Sequence, residues 1–385
     1  MAVKDQLERL AAFEPAPYPV VSLYLNTRPG GTGRDQFHRF VRKEFAARSR
    51  TYPSGSPDRE SLDKDLDRIA KYLDTELDPA ANGVAVFACS AGELFEAVQM
   101  TAPIENHWLY IGDQPHLYPL ARIDSLFPRY AAVLANTNTA RILVFATGEL
   151  VRHEEVKGVK TRGTSQGGWS QARYQRHLEN FHMHHAKEVV DALGDIVERE
   201  GIERVLLAGD EVITPLLREQ MPKALSDKIA DHVRIDTNAP LDDVIKTSLE
   251  AMKRVRGDTE REKVEAAIGA YRAGGLGVVG PEDTMDALVK GQVDELLIAA
   301  SLRELEPAGA ATAGSAEAAL PEPAVEPAVE PSAAGEAAEA GTNTVRLADE
   351  LITKATQTSA KIVFVEDAGL LSEYGGVVAT LRFRI

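Results

Sequence analysis

Apolar stretches of strand length alternate with amphipathic stretches of helix length along most of this chain, and this alternation limits the fold more than any other feature. In one example, a helical pattern runs from Gln171 to about Glu200, and the apolar run VLLAG of a buried strand follows it at residues 205–209. Such alternation predicts an α/β fold in which helices cover sheets. A length of 385 residues exceeds what one ordinary core organises and suggests two or three domains. We expect a mixed α/β protein of three domains.

The first predicted domain covers residues 1–127. The segment PYPVVSLYLNT is typical of a strand, and NGVAVFACSAGELFEAVQM is typical of two strands joined by a Ser-Ala-Gly turn. Two helices are predicted between these strands because apolar residues recur there at helical spacing. These residues are Phe37, Phe40, Val41 and Phe45 in the first helix, and Leu62, Leu66, Ile69 and Leu73 in the second. We interpret both apolar stripes as core.

The second predicted domain covers residues 128–256. Two apolar runs flank the sequence NTNT and predict a hairpin. A long helix follows from about Gln171 to Glu200 and stops near Gly201. Its predicted buried stripe is Tyr174, Leu178, Phe181, His185, Val189, Leu193 and Ile196. The next strand ends at Asp210 and Glu211, which we interpret as the start of a further helix rather than as catalytic carboxylates.

The third predicted domain covers residues 257–385. We predict a helix in EREKVEAAIGAYRAGG, a short helix that begins at Pro281, and a strand in DELLIAASL. A helix in VRLADELITKATQTS and strands in AKIVFVED and GGVVATLRFRI complete the domain. Between these parts, residues 304–343 are rich in Ala, Pro and Glu, repeat PAVE, and contain no aromatic residue. This composition predicts a disordered insertion inside the domain.

The formal net charge of −16 argues at first against nucleic acid as a partner. However, residues 304–343 contain eight glutamates and no Lys or Arg, while two other segments are basic. Residues 26–52 hold seven basic and two acidic residues, and residues 152–187 hold seven basic and three acidic residues. A basic surface is what binding to phosphate requires, although ordinary solvated surfaces can have the same composition.

Several classes of protein are disfavoured by what the sequence lacks. Cys89 is the only cysteine, so neither a disulfide within the chain nor a cysteine zinc site is expected. The segment MAVKDQLERLAAF is charged throughout, unlike a signal peptide, and no apolar run approaches the roughly 20 residues that cross a bilayer. We therefore expect a cytoplasmic protein with no membrane partner. The histidines of HMHH offer only i, i+3 spacing, so we expect no metal site, and no other cofactor is expected.

The segment TSQGGWSQARYQRH, residues 164–177, is the strongest candidate for chemistry. Tandem glycines, here Gly167 and Gly168, let the backbone approach another surface closely, and their N–H groups can stabilise an oxyanion. A neutral glutamine can hold a water molecule or a carbonyl group in place, and Gln166 and Gln171 flank the glycines. The segment has no strong nucleophile, so any catalysis acts by positioning. Without further context, a surface hairpin is the simpler interpretation.

Two parts of the chain resemble archaeal and eukaryotic class-1 peptide release factors and their Pelota relatives. The sequence GGWSQARYQRHLENFHMHHAKEV resembles the Gly-Gly-Gln loop and following helix of the family's middle domain, with matches at Gly167, Gly168, Ser170, Arg173, Tyr174 and Arg176. The sequences YRAGGLGVVGPEDTMDALVKGQVDELLIA and GGVVATLRFRI resemble its C-terminal domain. The resemblances are colinear and cover about half of the chain. The chain is thus similar to a bacterial member, in the Vms-like branch of peptidyl-tRNA hydrolases.

The resemblance implies three domains like those of release factors, and a middle-domain loop that enters the peptidyl transferase centre of the ribosome. In the family, glutamine and the loop backbone help water to attack the ester between peptide and tRNA. Here Trp169 occupies the position of the catalytic glutamine. The Vms-like branch is similar in having a displaced glutamine. This similarity favours Gln171 as the catalytic residue, together with Gly167 and Gly168, over Gln166.

The same residues imply partners. Arg162, Arg173, Arg176 and Lys187 are expected to contact phosphates of ribosomal RNA or peptidyl-tRNA. In relatives the C-terminal domain docks a translational GTPase. The first predicted domain has neither the Asn-Ile-Lys-Ser nor the Tyr-x-Cys motif with which the family reads stop codons, which favours rescue of stalled ribosomes over codon-specific termination. Two alternatives stay open: a non-catalytic factor that occupies the ribosomal A site during dormancy or stress, and an RNA-binding adaptor that uses only its C-terminal domain.

Overall fold

The computed structural model of the chain describes residues 3–15, 17–28, 34–100, 104–126, 128–146, 149–157, 171–305 and 332–384. The chain has a mixed α/β fold and divides into two compact units. The first unit combines Met1–Leu126 with Thr259–Ile385, and the second is Phe127–Asp258. The two outer parts of the sequence therefore build one unit together. The division into three domains at residues 127 and 256 stays a prediction.

The N-terminal part of the first unit is a four-stranded antiparallel sheet with helices. Its elements are α1 (Val3–Ala11), β1 (Val20–Asn26), α2 (Arg34–Ser49), α3 (Pro57–Thr75), β2 (Gly83–Cys89), β3 (Leu94–Met100), β4 (Trp108–Gly112) and α4 (Tyr118–Leu126). The strand order is β3-β2-β1-β4. Both predicted apolar stripes pack on one face of this sheet, where Phe37, Val41 and Leu62 are buried. The side chain of Ser56 accepts the N–H of Arg59 and thereby caps the start of α3.

The second unit is a five-stranded sheet covered by helices on both faces. Its elements are β5 (Tyr130–Ala135), β6 (Thr139–Ala146), β7 (Glu149–Lys157), α5 (Gln171–Arg199), β8 (Arg204–Gly209), α6 (Ile213–Gln220), α7 (Lys223–Ser226), β9 (Ile229–His232) and the first part of α8 (Leu241–Arg272). The order is β7-β6-β5-β8-β9, in which β5, β8 and β9 are parallel and β6 and β7 are antiparallel. α5 and α6 cover one face and α8 covers the other, as the alternation of strands and helices predicted.

The C-terminal part of the first unit is a second four-stranded sheet. After α8 come β10 (Gly277–Val279), α9 (Pro281–Val289), β11 (Val293–Ala299), α10 (Ser332–Gln357), β12 (Lys361–Val365) and β13 (Val377–Leu381), in the sheet order β10-β13-β11-β12. β11 and β12 are parallel and the other pairs are antiparallel. One hydrophobic cluster joins Leu7 and Leu117 of the N-terminal part to Leu288, Leu351 and Phe364 of the C-terminal part. The first unit thus has a core that neither part of the sequence builds alone.

The predicted disordered insertion needs a correction at both of its ends. α10 begins at Ser332, so the prediction of disorder over residues 304–343 is wrong for residues 332–343. Ala and Glu dominate this stretch and are strong helix formers, and the helix that they extend is held by its packed C-terminal half. At the other end, Glu304 belongs to a short 3-10 helix and Leu305 is buried in the shared core. Residues 306–331 lie outside the described residues.

Candidate functional site

The segment with the tandem glycines is attached to two described elements of the second unit. β7 ends at Lys157, and α5 begins at Gln171. The predicted site residues Arg162, Gln166, Gly167 and Gly168 lie between these ends and fall outside the described residues. The positions of Lys157 and Gln171 therefore fix the two ends of the intervening segment, and β7 and α5 are its two supports.

α5 starts with Gln171, the residue predicted to be catalytic. The first N–H groups of a helix have no partner inside the helix, and the aligned peptide dipoles give this end a positive potential. The first turn of α5 contains no acidic residue that would neutralise this potential, and Arg173 and Arg176 follow in the first two turns. This end of α5 is suited to a phosphate or a developing oxyanion. The backbone of Gln171 is helical, however, so it lacks the freedom of the glycines that precede it.

α5 is much longer than the sheet that supports it. Lys157 at the end of β7 pairs with Thr139. The imidazole of His185 faces the backbone of Asn136 and Thr139, at the same end of the strands. From there α5 runs along the sheet to the opposite ends of the strands, where Glu200 forms an ion pair with Arg129 just before β5. The fourteen residues 171–184 therefore extend beyond the ends of the strands, by about 21 Å at 1.5 Å per residue. The segment with the glycines is attached at the far end of this projecting helix.

The projection corrects part of the predicted buried stripe of α5. His185, Val189, Leu193 and Ile196 are buried as predicted, because they lie over the sheet. Leu178 and Phe181 are only partly buried and belong to none of the core clusters, since no sheet lies beneath them. The side chain of Tyr174, like those of Gln171, Arg173 and Arg176, lies outside the description. Lys187 is exposed, as a residue that contacts phosphate requires.

An ion-pair network anchors the base of the projecting helix. Arg129 donates from Nη1 to Oε2 of Glu200 at 2.8 Å, and Arg152 of β7 donates from Nη1 to Oε1 of Glu200 at 3.4 Å. Arg152 also donates to Glu154 at 2.8 Å. The network links β7 to Glu200, the residue that follows α5. Sequence analysis did not identify these residues, since Arg152 and Glu200 are separated by 48 positions and share no motif.

The histidines of α5 have different surroundings. His184 is exposed, and its Nε2 lies 3.4 Å from Oε1 of Glu188. His185 is buried, neither of its ring nitrogens makes a hydrogen bond of ordinary geometry, and burial lowers its pKa. Within the described ranges, no three His, Cys, Asp or Glu side chains are grouped as metal ligands would be. In the same part of the chain, none of the helices is both long and apolar enough to span a membrane.

One of the two carboxylates at the end of β8, that of Asp210, belongs to a helix start. Oδ1 of Asp210 accepts the N–H groups of Val212 and Ile213 at 3.0 and 2.8 Å. These donors lie at the beginning of α6, whose first N–H groups need acceptors. Asp210 therefore has the structural role that we preferred for it over catalysis.

The chain matches one family model and is similar to several solved structures. The model of bacterial archaeo-eukaryotic release factor family 10 matches residues 115–253, which include nearly all of the second unit and thus the projecting helix. Similar solved structures include the archaeal translation termination factor aRF1, with 18% identity over 99% of this chain and 98% of that chain and a TM-score of 0.26. They also include Dom34 of S. cerevisiae, with 9% identity over 76% and 73% and a TM-score of 0.43. A third is ribosome-bound archaeal Pelota with ABCE1, with 15% identity over 99% and 94% and a TM-score of 0.41.

All three TM-scores lie below 0.5, so these likenesses by themselves carry no functional argument. No curated protein matches the chain significantly.

Proposed function

From the match of residues 115–253 to bacterial archaeo-eukaryotic release factor family 10, we propose that the chain is a member of the archaeo-eukaryotic release factor superfamily and acts as a ribosome-associated peptidyl-tRNA hydrolase that rescues stalled ribosomes. The observation that carries the proposal is the projecting half of α5. A helix that extends about 21 Å past its sheet can deliver the attached segment into a confined site, which a group mounted flat on the sheet could not reach. The site in question is the ester of peptidyl-tRNA inside the ribosome.

The proposed reaction is hydrolysis of that ester by positioned water. Water attacks the carbonyl carbon, the bond from this carbon to the tRNA oxygen breaks, and the products are a peptide carboxylate and a tRNA hydroxyl group. The N–H groups of Gly167 and Gly168 stabilise the oxyanion, and Gln171 orients the water. Because no group in the segment is a strong nucleophile, the chain contributes orientation and electrostatic stabilisation and forms no covalent intermediate.

Binding in this proposal depends on cations of α5 and of the segment that precedes it, together called the α5 arm. Arg162, Arg173, Arg176 and Lys187 contact phosphates of ribosomal RNA or peptidyl-tRNA. The positive end of α5 adds to their attraction for phosphate. Docking of a translational GTPase and membership of the Vms-like branch stay predictions from the resemblance.

A second candidate function is favoured by two observations. Trp169 stands where the family has its catalytic glutamine, and Gln171 has a helical backbone. Gln171 can take part in hydrolysis in two ways: it orients water from its helical position at the end of α5, or the first turn of α5 unwinds on the ribosome. If Gln171 does neither, the chain occupies the A site of dormant or stressed ribosomes without hydrolysis.

One experiment separates the two candidates. Purified stalled ribosome–nascent-chain complexes are incubated with the protein, and peptidyl-tRNA and free tRNA are quantified while co-sedimentation measures binding. Release of free tRNA at a rate that rises with protein concentration supports hydrolysis. Saturable binding without release supports the A-site factor, and absence of both results overturns the ribosomal proposal.

A further inference from the structure

The exposed face of α2 carries cations that the proposed function of the α5 arm does not use. Arg39, Arg42 and Lys43 on α2, and Arg50 in the turn after it, are all exposed. Among the described residues, no carboxylate lies within ion-pair distance of Arg39, Arg42 or Arg50. Lys43 is 81% exposed, and its Nζ lies 4.0 Å from Glu44, at the limit of an ion pair. The side chain of Asp35, one turn before Arg39, lies outside the description. These charges are thus available to a partner.

The opposite face of α2 is packed in the core, which holds the helix and its row of cations in place. Phe37 and Val41 are buried at 1% and 5% exposure against the sheet and α3. The ring of Phe40 packs against His107 with centroids 5.2 Å apart. Core packing therefore accounts for the helix without any help from the cations. Arg39 and Lys43 are one helical turn apart, about 6 Å, and Arg50 follows about 10 Å further along the same side. A nucleic-acid strand, which presents a charge every few Å, can meet several of them at once.

The composition of this face selects the kind of partner. Between the cations lie Ala46 and Ala47, and the face exposes no large apolar or aromatic side chain. Protein interfaces typically have apolar or aromatic anchors at their centre, and stable binding to a membrane surface needs apolar groups in addition to basic charge. Three of the four cations are arginines, whose planar guanidinium group matches the geometry of phosphate. A polyanionic phosphate backbone satisfies all of these conditions.

We propose that α2 is a second RNA-binding surface, which holds the phosphate backbone of RNA without reading its bases. The inference rests on the proposed ribosomal function for its biological setting, but it concerns the first unit and needs neither the α5 arm nor ester hydrolysis. It also gives the N-terminal part of a chain without stop-codon motifs a role in RNA contact that is independent of sequence.

The test measures binding of the full chain to a fluorescently labelled single-stranded RNA over a range of salt concentrations. The variant carries Arg39→Gln, Lys43→Gln and Arg50→Gln. A control carries Lys290→Gln, Arg303→Gln and Lys361→Gln, which remove the same charge from other exposed positions of the first unit. The α2 variant should lose about tenfold or more in affinity at low salt, and its log–log salt slope should become shallower by about two units, at about 0.7 per phosphate contact. The control should retain the parent slope.

Two results would overturn the inference. One is an unchanged salt slope in the α2 variant, or an equal loss in the control. The other is equally tight binding of poly-L-glutamate, which would make this face a site for any anion. The variant Arg39→Lys with Arg50→Lys should keep most of the affinity, and unchanged melting temperatures would show that all variants fold. Since the assay contains no ribosome and no ester, failure of the proposed hydrolysis would leave its result untouched.

Discussion

The Nδ1 atom of His116 lies 2.7 Å from the Oδ2 atom of Asp349, and both side chains are buried. The other carboxylate oxygen of Asp349 accepts the N–H groups of Leu117 and Tyr118 at 2.8 and 3.0 Å, at the start of α4. A carboxylate from α10 thus satisfies the first N–H groups of a helix 231 positions earlier in the sequence. This polar contact inside the shared core fixes how the N-terminal and C-terminal parts of the first unit pack together.

Asp349→Ala should destabilise the first unit by about 3 kcal/mol, because it removes three hydrogen bonds and leaves buried donors without an acceptor. Urea denaturation measures the change in the free energy of unfolding. Asp367→Ala is the matched control, since Asp367 is 55% exposed and pairs with Arg261 at 3.4 Å, so less than about 1 kcal/mol should be lost. Equal losses in the two variants would contradict a structural role for the buried pair.

Gln171→Ala should abolish peptide release from stalled ribosome complexes while ribosome binding stays nearly unchanged. The reason is that one neutral side chain contributes little to a large interface but would orient the reacting water. Release of free tRNA and co-sedimentation measure the two properties separately. Gln166→Ala is the control and should reduce release less. Undiminished release by the Gln171 variant would remove this residue from the mechanism.

The double variant Arg173→Ala, Arg176→Ala should bind ribosomes more weakly at low salt. Each lost phosphate contact should make the log–log salt dependence shallower by about one unit, because fewer counterions are released on binding. The fold should be unaffected, since neither residue belongs to the apolar stripe that the sequence predicts for α5. Arg199→Ala with Lys223→Ala is a suitable control, because both side chains are exposed and lie outside the first half of α5. Parent-like affinity and slope in the double variant would show that the two arginines are an ordinary solvated surface.

His185 should make the second unit sensitive to acid. Burial lowers its pKa below the ordinary value of about 6.5, so the unfolded chain binds a proton that the folded chain does not. Stability is therefore complete above about pH 6.5 and falls as the pH drops below that value. His185→Gln should flatten the fall in melting temperature between about pH 7.5 and 5.5. Some slope should remain, because burial also lowers the pKa of His232.

The adjacent residue supplies the control for this pH experiment. His184 is 73% exposed, so His184→Gln should leave the pH dependence of the melting temperature as it is in the parent. If both substitutions flattened the curve equally, burial of His185 would not be its cause.

Local structure could be read from the sequence to a large extent. The hairpin around NTNT, the stripe at Val189 and Leu193, and the start of α9 at Pro281 are all present as predicted. α5 also stops as predicted: Gly201 has a φ of 62°, which glycine adopts without strain, and the N–H of Ile202 bonds back to the carbonyl group of Val197. Spacing and turn residues encode such features because a helix or hairpin is decided by residues a few positions apart.

For the candidate site, the sequence determined the residue types, and the tertiary structure determined how far the helix that carries them extends beyond the sheet. Periodicity shows which side of α5 is apolar, but it cannot show where the supporting sheet ends, so it predicted burial for Leu178 and Phe181 beyond the sheet edge. The same limit applies to the first unit. The spacing of α10 shows an apolar face, whereas several of its partners lie in α1 and α4, more than two hundred residues away. His116, which contacts Asp349, lies just before α4. A sequence pattern shows which side chains are apolar and favour burial, because burial removes apolar surface from water. Only the folded chain determines which surface covers them.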